Sequence, residues 1–450
     1  MSLNISLKRG LKINLKGSPD KVYASLQDSE DYVVKPTDFH LLTPKLVVKE
    51  NDKVKAGDTL FYDKYNDKIK FSAPVSGRIK AIVRGQKRRI LKVVIKADKD
   101  IKYRSFKVNS SDQLNRDQII ETMLESGVWP FIRQRPYDVI ANPKDMPKAI
   151  FISAFNSSPL SIDNDFALYG MEELFQKGIN YIRKLTTGKT HLNIDGSINA
   201  STVFSSAKGV QINKFRGPHP AGNVGVQIHH IDPINKNDIV WYLDPQDVLV
   251  IARLFEQGTY DVSRIISLAG SQVKKPRYYR CIAGANISNL VFDNIKDGDN
   301  RFISGDIFSG EKIDKNGSLG FYHTSILVIE EGNKQEFLGW MLPGFNKFST
   351  SRTFFSWLSP NKKYSLDSNM HGEERAYVMT GEYEKVFPMD IYPAHLIKSI
   401  MVEDIELMEK LGIYEVAPED FALCEFVCTS KINVQQIIRD GLDLLKKENS

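Results

Sequence analysis

The sequence predicts a multidomain α/β protein, and the chain length and two apolar patterns support this fold class. With 450 residues, the chain is long enough for about two to four domains of roughly 100–200 residues. Short, evenly spaced strand patterns fill the first hundred residues, strands and helices then alternate, and helical stripes end the chain. We expect the division 1–110 (β-rich), 111–258 (α/β), 259–340 (strand-rich), 341–385 (aromatic-rich connector) and 386–450 (helical).

The composition is that of an ordinary globular protein. Apolar residues make up 42% and charged residues 26% of the chain, which excludes a disordered chain, collagen and a coiled-coil rod. Three cysteines, Cys281, Cys424 and Cys428, are too few for a disulfide framework and indicate a reducing compartment. We expect neither a signal peptide nor a membrane span, because no window reaches the roughly 18–20 apolar residues that a spanning helix needs.

The charge is unevenly distributed along the chain. Residues 1–107 carry 25 Lys and Arg against 12 Asp and Glu, a balance of +13, whereas the whole chain has +6. Two explanations of this asymmetry remain open: a solvated face, or a surface that docks on an acidic partner or an anionic membrane. Nucleic acid is disfavoured, because the basic residues are not interleaved with aromatic residues in any nucleic-acid motif.

The first hundred residues show the alternation of short strands. Residues 3–7 and 11–15 alternate apolar and polar side chains, which predicts two strands that meet at a turn at Gly10. Further runs separated by Gly, Pro and Asp predict a small barrel or sandwich. These runs are 45–48, 59–62, 68–71, 79–83 and 90–95.

Residues 33–98 resemble the biotinyl/lipoyl-carrier hammerhead family, through 51–60 (NDKVKAGDTL) and 73–77 (APVSG). That family displays a covalently modified lysine on a tight turn before the Ala-Pro pair. Neither Lys64 nor Lys68 lies at the family's distance before Ala73. We therefore interpret the domain as a scaffold and keep a prosthetic-group carrier as the less favoured alternative.

Residues 111–258 alternate strands and helices, as a Rossmann-like domain does. A helix is predicted over 117–125, ending at Gly127, and an amphipathic helix over 168–185. Asp244 precedes Pro245 and caps a third helix, which ends at Gly258. Strands are predicted at Ala149–Ser153, 201–204 and 239–243.

A proline- and glycine-rich loop at 217–225 (GPHPAGNVG) is the nearest approach to a nucleotide motif, since neither G-x-G-x-x-G nor a P-loop is present. Its two prolines lack N–H donors, and 226–230 is predicted to be a strand. A shaped structural loop is the favoured interpretation, and a phosphate cradle or a contact with a partner or quinone are the alternatives. A metal site at His219, His229 and His230 is disfavoured, because neighbouring residues on a strand face opposite sides.

The C-terminal third is predicted to be rich in strands, then aromatic residues, then helices. The aromatic stretch 337–358 fits a core, a contact with a partner or membrane surface, or part of a quinone cleft. Helices are predicted over 394–411 and 434–445, and another begins at Pro418. This last helix would carry Cys424 and Cys428 on one face as buried thiols. The stretch contains Trp340, Phe345, Phe348, Phe354, Phe355 and Trp357.

Six ordered motifs across the chain resemble the A subunit of the bacterial Na⁺-translocating NADH:quinone reductase. That family is similar in turn to the NADH-oxidising flavin subunit of respiratory complex I, which implies a ubiquitin-like β-grasp fold for 259–340. The motifs are 215–222 (FRGPHPAG), 246–248 (QDV), 266–270 (ISLAG), 338–349 (LGWMLPGFNKFS), 387–390 (FPMD) and 419–428 (EDFALCEFVC).

This resemblance implies a peripheral subunit on the cytoplasmic face of the bacterial inner membrane. Its six-subunit complex oxidises NADH, reduces ubiquinone and exports Na⁺, with flavins and iron–sulfur centres on other subunits. The chain would bind no redox cofactor of its own, since an iron–sulfur cluster normally needs four thiolates and the segment 154–160 lacks glycine. The alternative is that the chain itself oxidises NADH as a flavoprotein.

No catalytic residue and no metal ligand emerges from the sequence. Phe215 stands just before the proline- and glycine-rich loop, and Pro218 and His219 lie in it; these three residues are the candidate contact site for quinone. We expect the isolated chain to be inactive and to serve in assembly, with quinone binding as a further role.

Overall fold

The computed structural model describes residues 2–108, 113–333, 336–339 and 341–449. The expected boundary at 110 and Trp340 lie outside the described residues. Within these ranges the strands are β1 (Asn4–Ser6), β2 (Tyr23–Ala24), β3 (Asp31–Val34), β4 (Pro44–Leu46), β5 (Lys53–Val54), β6 (Thr59–Asp63), β7 (Asn66–Ser72), β8 (Gly77–Arg84), β9 (Ile90–Ala97), β10 (Arg133–Arg135), β11 (Val139–Ile140), β12 (Ala149–Ser153), β13 (Lys189–Asp195), β14 (Gln211–Arg216), β15 (Val240–Leu243), β16 (Ser263–Ala269), β17 (Arg277–Ile282), β18 (Asn300–Ser304), β19 (Glu311–Ile313) and β20 (Ser325–Glu330).

Helices are concentrated in the middle and at the end of the chain. None of those in the described ranges is long and apolar enough to cross a bilayer. They are α1 (Arg116–Ser126), α2 (Asn164–Ala167), α3 (Glu172–Ile182), α4 (Thr202–Ser205), α5 (Val224–Ile231), α6 (Pro245–Gln257), α7 (Ser288–Val291), α8 (Glu382–Val386), α9 (Pro393–Met401), α10 (Ile405–Lys410), α11 (Ala422–Val427) and α12 (Val434–Glu448).

The N-terminal strands form two small sheets that share one apolar core. The sheet orders are β3-β9-β8-β5 and β4-β6-β7, and the rings of Phe61 and Phe71 stack 4.8 Å apart between β6 and β7. The predicted strand runs are confirmed here. Lys64 lies in the two-residue turn between β6 and β7, and Lys68 is exposed on β7.

A seven-stranded sheet, in the order β1-β14-β13-β12-β15-β10-β11, forms the centre of the molecule. Its first five strands are parallel, and β10 and β11 form an antiparallel edge. The apolar run of β12 is buried on both faces, as a central parallel strand requires. The caps of α6 are those predicted: the Asp244 carboxylate accepts from the Gln246 N–H at 2.8 Å, and Gly258 ends the helix at φ +67°.

Three short segments differ from their predictions. The hairpin predicted for 3–7 and 11–15 is wrong, because β1 pairs in parallel with β14 and places Ile5 opposite Phe215. An isolated hairpin is marginal in water, whereas the open edge of a large sheet offers β1 a full set of partners. The segments 201–204 and 226–230, predicted as strands, are the helices α4 and α5. Apolar runs this short fit the period of a helix as well as that of a strand.

A fourth sheet, in the order β19-β18-β20-β16-β17-β2, takes five strands from the chain after the α/β domain and its edge strand β2 from the N-terminal region. It encloses its own apolar cluster, which includes Leu268, Ile326 and Val328. The multidomain α/β prediction therefore agrees with the structure, whereas the finer Rossmann-like and ubiquitin-like descriptions remain predictions.

The C-terminal helices pack around one apolar cluster, but two details differ from the sequence prediction. The helix predicted over 394–411 is divided into α9 and α10, because Glu403 has φ +56° and Asp404 caps α10 through the Leu407 N–H. Cys424 lies in α11, whereas Cys428 follows the helix in extended conformation, so the two do not share one helical face. Both thiols are buried.

A buried ion pair joins the α/β sheet to the C-terminal helices. Nη1 of Arg135, on β10, lies 2.5 Å from Oδ2 of Asp420, and neither side chain is exposed. The same guanidinium donates to Oε1 of Glu419 at 2.7 Å and to the Glu415 carbonyl at 3.1 Å. At Gly225 on α5, a Cβ atom would lie 2.3 Å from Nη1 of Arg135, so this glycine makes room for the ion pair.

Substitution of Arg135 tests this junction. Arg135→Met leaves the Asp420 carboxylate buried without its cation, and we expect the free energy of unfolding, from urea titration, to fall by about 3–5 kcal/mol. The double variant Arg135→Met/Asp420→Leu should recover most of the loss, because an apolar pair replaces the two charges. Lys410→Met, which removes an exposed ion pair with Glu406, is the matched control. If Arg135→Met and Lys410→Met lowered the free energy of unfolding equally, the buried pair would have no special role.

Candidate functional site

A polar cleft lies at the carboxyl ends of β12 and β15. Strand order reverses here, since β13 lies on one side of β12 and β15 on the other, and this is where open α/β sheets bind their ligands. The cleft encloses about 760 Å³, part of it open to solvent, and polar atoms dominate its surface. Its walls come from six parts of the chain, represented by Arg133, Asn164, His219, Asp244, Asp306 and Glu419.

Asn164 supplies an unpaired acceptor to the cleft wall. Its Nδ2 group donates to the Ala154 carbonyl at 3.1 Å, but its buried Oδ1 atom has no hydrogen-bond partner among the described residues. An unpaired buried acceptor costs about 1–3 kcal/mol. A ligand that brings a hydroxyl or N–H group to this wall would remove that cost.

His219 is held in one orientation by its neighbours. Oγ of Ser157 accepts from the Gly222 N–H at 2.7 Å and lies 3.1 Å from Nδ1 of the histidine. The hydroxyl hydrogen is therefore free to be donated to Nδ1, which leaves the second ring nitrogen, Nε2, as a donor. The imidazole ring stacks on Phe308 with centroids 5.1 Å apart.

Burial also sets the charge of His219. Desolvation lowers its pKa to about 4, although Asp306 opposes the shift. The side chain is 5% exposed, so the imidazole is neutral at physiological pH. A neutral ring with Nε2–H can donate a hydrogen bond to a ligand without adding a charge.

The proline- and glycine-rich loop precedes a helix, contrary to the strand prediction, yet its backbone is not arranged to hold phosphate. The Ala221 N–H donates to the Pro218 carbonyl at 2.9 Å and the Asn223 N–H to the Pro220 carbonyl at 2.9 Å. The Gly222 N–H is taken by Ser157. Three successive donors are therefore already used, which disfavours the phosphate-cradle alternative.

The two neighbouring histidines on α5 bind the C-terminal part of the chain. Nδ1 of His229 donates to Glu415 at 2.8 Å, and its Nε2 accepts from the Asp390 N–H at 2.9 Å. Nε2 of His230 donates to the Pro388 carbonyl at 2.9 Å. Across the described ranges there is no group of three or more His, Cys, Asp or Glu side chains arranged to hold a metal ion.

Carboxylates outnumber cations around the cleft. Asp244, Asp306 and Glu419 line it together with Arg133, whose guanidinium lies 4.5 Å from the centre of the Tyr242 ring. Burial raises the pKa of Glu419 to about 7, against the opposing charge of Arg135. This electrostatic environment favours a neutral, polar ligand over a phosphate-bearing one.

Comparison with known proteins places the whole chain in one family. Residues 5–98 match the family model of the NqrA N-terminal barrel-sandwich hybrid domain, 114–260 the NqrA second alpha/beta domain, and 265–315 the NQRA C-terminal domain. The A subunit of the Na(+)-translocating NADH-quinone reductase of Pasteurella multocida is 38% identical over 450 residues, which cover 99% of this chain and 100% of the relative. The chain belongs to the NqrA family.

Other NqrA proteins agree with this assignment. Those of Yersinia pestis bv. Antiqua and of Saccharophagus degradans are 36% and 37% identical, each over 99% of this chain and 100% of the relative. A chain of the crystal structure of NAD+-reducing [NiFe]-hydrogenase in the air-oxidized state aligns with a TM-score of 0.41 and 11% identity, over 76% of this chain and 62% of that chain. We draw no conclusion from a similarity at that level.

The three residues singled out from this NqrA sequence occupy different environments. His219 lines the cleft, and Pro218 is half-buried in the adjoining loop. Phe215 is fully buried on β14, inside the molecule. No sequence signal marked Asn164 or Arg133, because neither stands in a motif. The helix cap at Asp244 was a usable signal, because it marks the carboxyl end of a strand and therefore the edge of the sheet where the cleft lies.

The lowered pKa of His219 predicts a pH dependence of stability. Below pH 6.5 the unfolded chain binds a proton at this residue, whereas the native protein does so only near pH 4. Stability should therefore fall as the pH drops through this window, by at most about 1.4 kcal/mol per pH unit from this group. We expect His219→Gln to remove this one-proton contribution from the pH slope of the unfolding free energy, measured by urea titration. An unchanged slope would show that His219 ionises alike in both states.

Proposed function

We propose that this chain is the peripheral subunit of a six-subunit Na⁺-translocating NADH:quinone reductase. It lies on the cytoplasmic face of the bacterial inner membrane and contacts that membrane through its partner subunits. The complex oxidises NADH, reduces ubiquinone and transports Na⁺ outward, and this chain serves in assembly and in quinone binding. Family membership over the full length is the observation that carries the proposal. The division of the chain at about residues 110, 258, 340 and 385 is part of the same proposal.

The redox groups of the complex belong, in this proposal, to the other subunits. Cys281 lies on β17 in the fourth sheet, far along the chain from the pair at Cys424 and Cys428. Burial raises the pKa of Cys281 to about 12 and that of Cys424 well above its usual value. An iron–sulfur cluster normally needs four thiolates, so three cysteines in two separate parts of the fold support a chain without a cluster.

The cleft at the ends of β12 and β15 is the proposed quinone site. A quinone ring is neutral and carries two carbonyl acceptors, and Nε2–H of His219 offers a donor to one of them. The Phe308 ring beside the imidazole provides an apolar face. Oδ1 of Asn164 would accept a hydrogen bond from the reduced quinol. The surrounding carboxylates do not oppose a ligand without charge.

The alternative, an NADH-oxidising flavoprotein, would use the same cleft. Dinucleotides and flavins bring phosphate groups, which at such an edge are usually held by free backbone N–H groups and the start of a helix. Here the N–H groups of 221–223, just before α5, are already bonded to other protein groups, and three carboxylates face the space. The geometry therefore favours the quinone-binding subunit over the flavoprotein.

Replacement of His219 tests the quinone site. His219→Phe keeps a ring against Phe308 but removes the donor, and the loss of one hydrogen bond should weaken quinone binding about 5–10-fold. The measurement is isothermal titration of the full chain with a short-chain ubiquinone. Tyr169→Phe, at a residue that is 74% exposed, is the control and should bind normally. Equal affinity in all three proteins would remove His219 from the site.

The basic N-terminal region predicts that docking on the membrane subunits depends on salt. In a pull-down with those subunits, we expect association to be lost by about 0.5 M salt, because the Debye length then shrinks to about 4 Å. Lys87→Glu/Arg88→Glu, in the exposed turn before β9, should weaken association at low salt. Lys208→Glu, exposed on the α/β domain, should not. Association that survives high salt would point to an apolar interface instead.

A further inference from the structure

We propose that residues 337–363, here named the aromatic–basic segment, bind directly to an anionic lipid surface. The proposal goes beyond attachment of the chain through partner subunits, because it gives this chain a lipid contact of its own. It rests on the proposed function only in placing the chain beside a membrane.

The aromatic–basic segment exposes an unusual number of large apolar side chains. Phe337 is 91% exposed, Met341 63% and Phe345 59%. Of the three interpretations of this stretch, core packing is therefore wrong for most of its described residues. Folded proteins seldom leave so large an apolar patch in water unless it binds something. The exposed members are Phe337, Leu338, Met341, Leu342, Phe345, Phe355, Trp357 and Leu358.

The charge of the aromatic–basic segment has a single sign. It contains four basic residues and no Asp or Glu, although acidic and basic residues nearly balance in the whole chain, 55 against 61. Lys347 forms an ion pair with Glu336, just before the segment, and the other three cations keep the positive sign. Such a segment is attracted to the negative headgroups of anionic lipids. The four are Lys347, Arg352, Lys362 and Lys363.

Hydrogen bonds within the segment fix the backbone around two of its exposed rings, Phe345 and Phe355. Nζ of Lys362 donates to the Phe345 carbonyl at 2.5 Å, and the Phe355 N–H donates to the Pro343 carbonyl at 2.8 Å. The rings of Phe345 and Phe355 pack edge to face, with centroids 5.9 Å apart. These two exposed rings are thereby presented together.

One ring of the segment faces inward and anchors it. The ring of Phe348 packs against the rings of Tyr364 and of Phe426 on α11, with centroids 5.4 Å and 6.0 Å apart. The segment is therefore attached to the folded body at this point, while the rings of Phe337, Phe345, Phe355 and Trp357 are exposed. A loop built in this way can insert into a surface without unfolding the protein.

The chemistry favours lipid over a protein partner. Protein interfaces are enriched in aromatic residues and arginine but depleted of lysine, which supplies three of the four cations here. Aromatic and basic side chains together are typical of segments that lie in the headgroup region. The Arg352 guanidinium lies 5.5 Å from the Trp357 ring centre, so the two kinds of side chain are mixed on one surface. Rings of this kind can enter the headgroup layer while the cations remain at the phosphates.

Flotation of the full chain with lipid vesicles tests the proposal without any partner subunit. We expect the chain to float with vesicles of phosphatidylcholine and phosphatidylglycerol, and much less with phosphatidylcholine alone. Phe345→Ser/Phe355→Ser should weaken binding to the anionic vesicles at least about tenfold, because two apolar rings no longer leave water. Arg352→Glu/Lys363→Glu should also weaken it.

Two control variants separate this segment from other surfaces. Phe292→Ser removes a ring that is 72% exposed elsewhere, and Lys87→Glu/Arg88→Glu reverses charge in the N-terminal domain. Both should bind the anionic vesicles like the unchanged chain. Circular dichroism of every variant checks that the fold is intact.

Three outcomes would overturn the proposal. The first is failure of the unchanged chain to float with anionic vesicles, and the second is normal flotation of the segment variants. The third is normal flotation combined with lost association with the detergent-solubilised membrane subunits, which would make the segment a protein interface. Failure of the lipid test leaves the salt-dependent pull-down untouched, so the two proposals fail separately.

Discussion

The guanidinium of Arg135 lies where the edge of the central sheet meets the C-terminal helices, and the arrangement of the candidate site depends on it. Its bonds to Asp420 and Glu419 join parts of the chain almost three hundred residues apart. Burying such charges is costly unless they are paired and hydrogen-bonded, so the pair tolerates little displacement of either partner. Because Glu419 adjoins the buried pair and lines the cleft, this junction also sets one wall of the cleft.

Glycine has a packing role near this junction. The sequence motif around residues 217–225 resembles a phosphate loop in composition, but its glycines make room for neighbouring groups. A Cβ atom at Gly225 would strike the ion pair, and one at Gly222 would lie 2.5 Å from the Ser157 amide nitrogen. The loop is therefore shaped by what packs against it, and its result is a buried, neutral His219 beside Phe308.

The molecule separates its surfaces by chemistry. The N-terminal sheets carry most of the excess positive charge, the cleft is lined mainly by neutral polar and acidic groups, and the aromatic–basic segment combines exposed rings with cations. The N-terminal sheets suit an acidic partner, the cleft suits an uncharged ligand, and the aromatic–basic segment suits a lipid surface. The three surfaces share no residues, so each can be altered by substitution without touching the others.

The sequence by itself determined the multidomain α/β class, the N-terminal strands, the capped helix after Asp244 and the family. These features follow from local periodicity, caps and ordered motifs, which are written in neighbouring residues. Tertiary structure decided the rest: that β1 joins the edge of the central sheet, that 226–230 is a helix, and that Asn164 meets His219 in one cleft. Short segments have no decisive period of their own, and residues distant in sequence become neighbours only when the sheet and the C-terminal helices have packed.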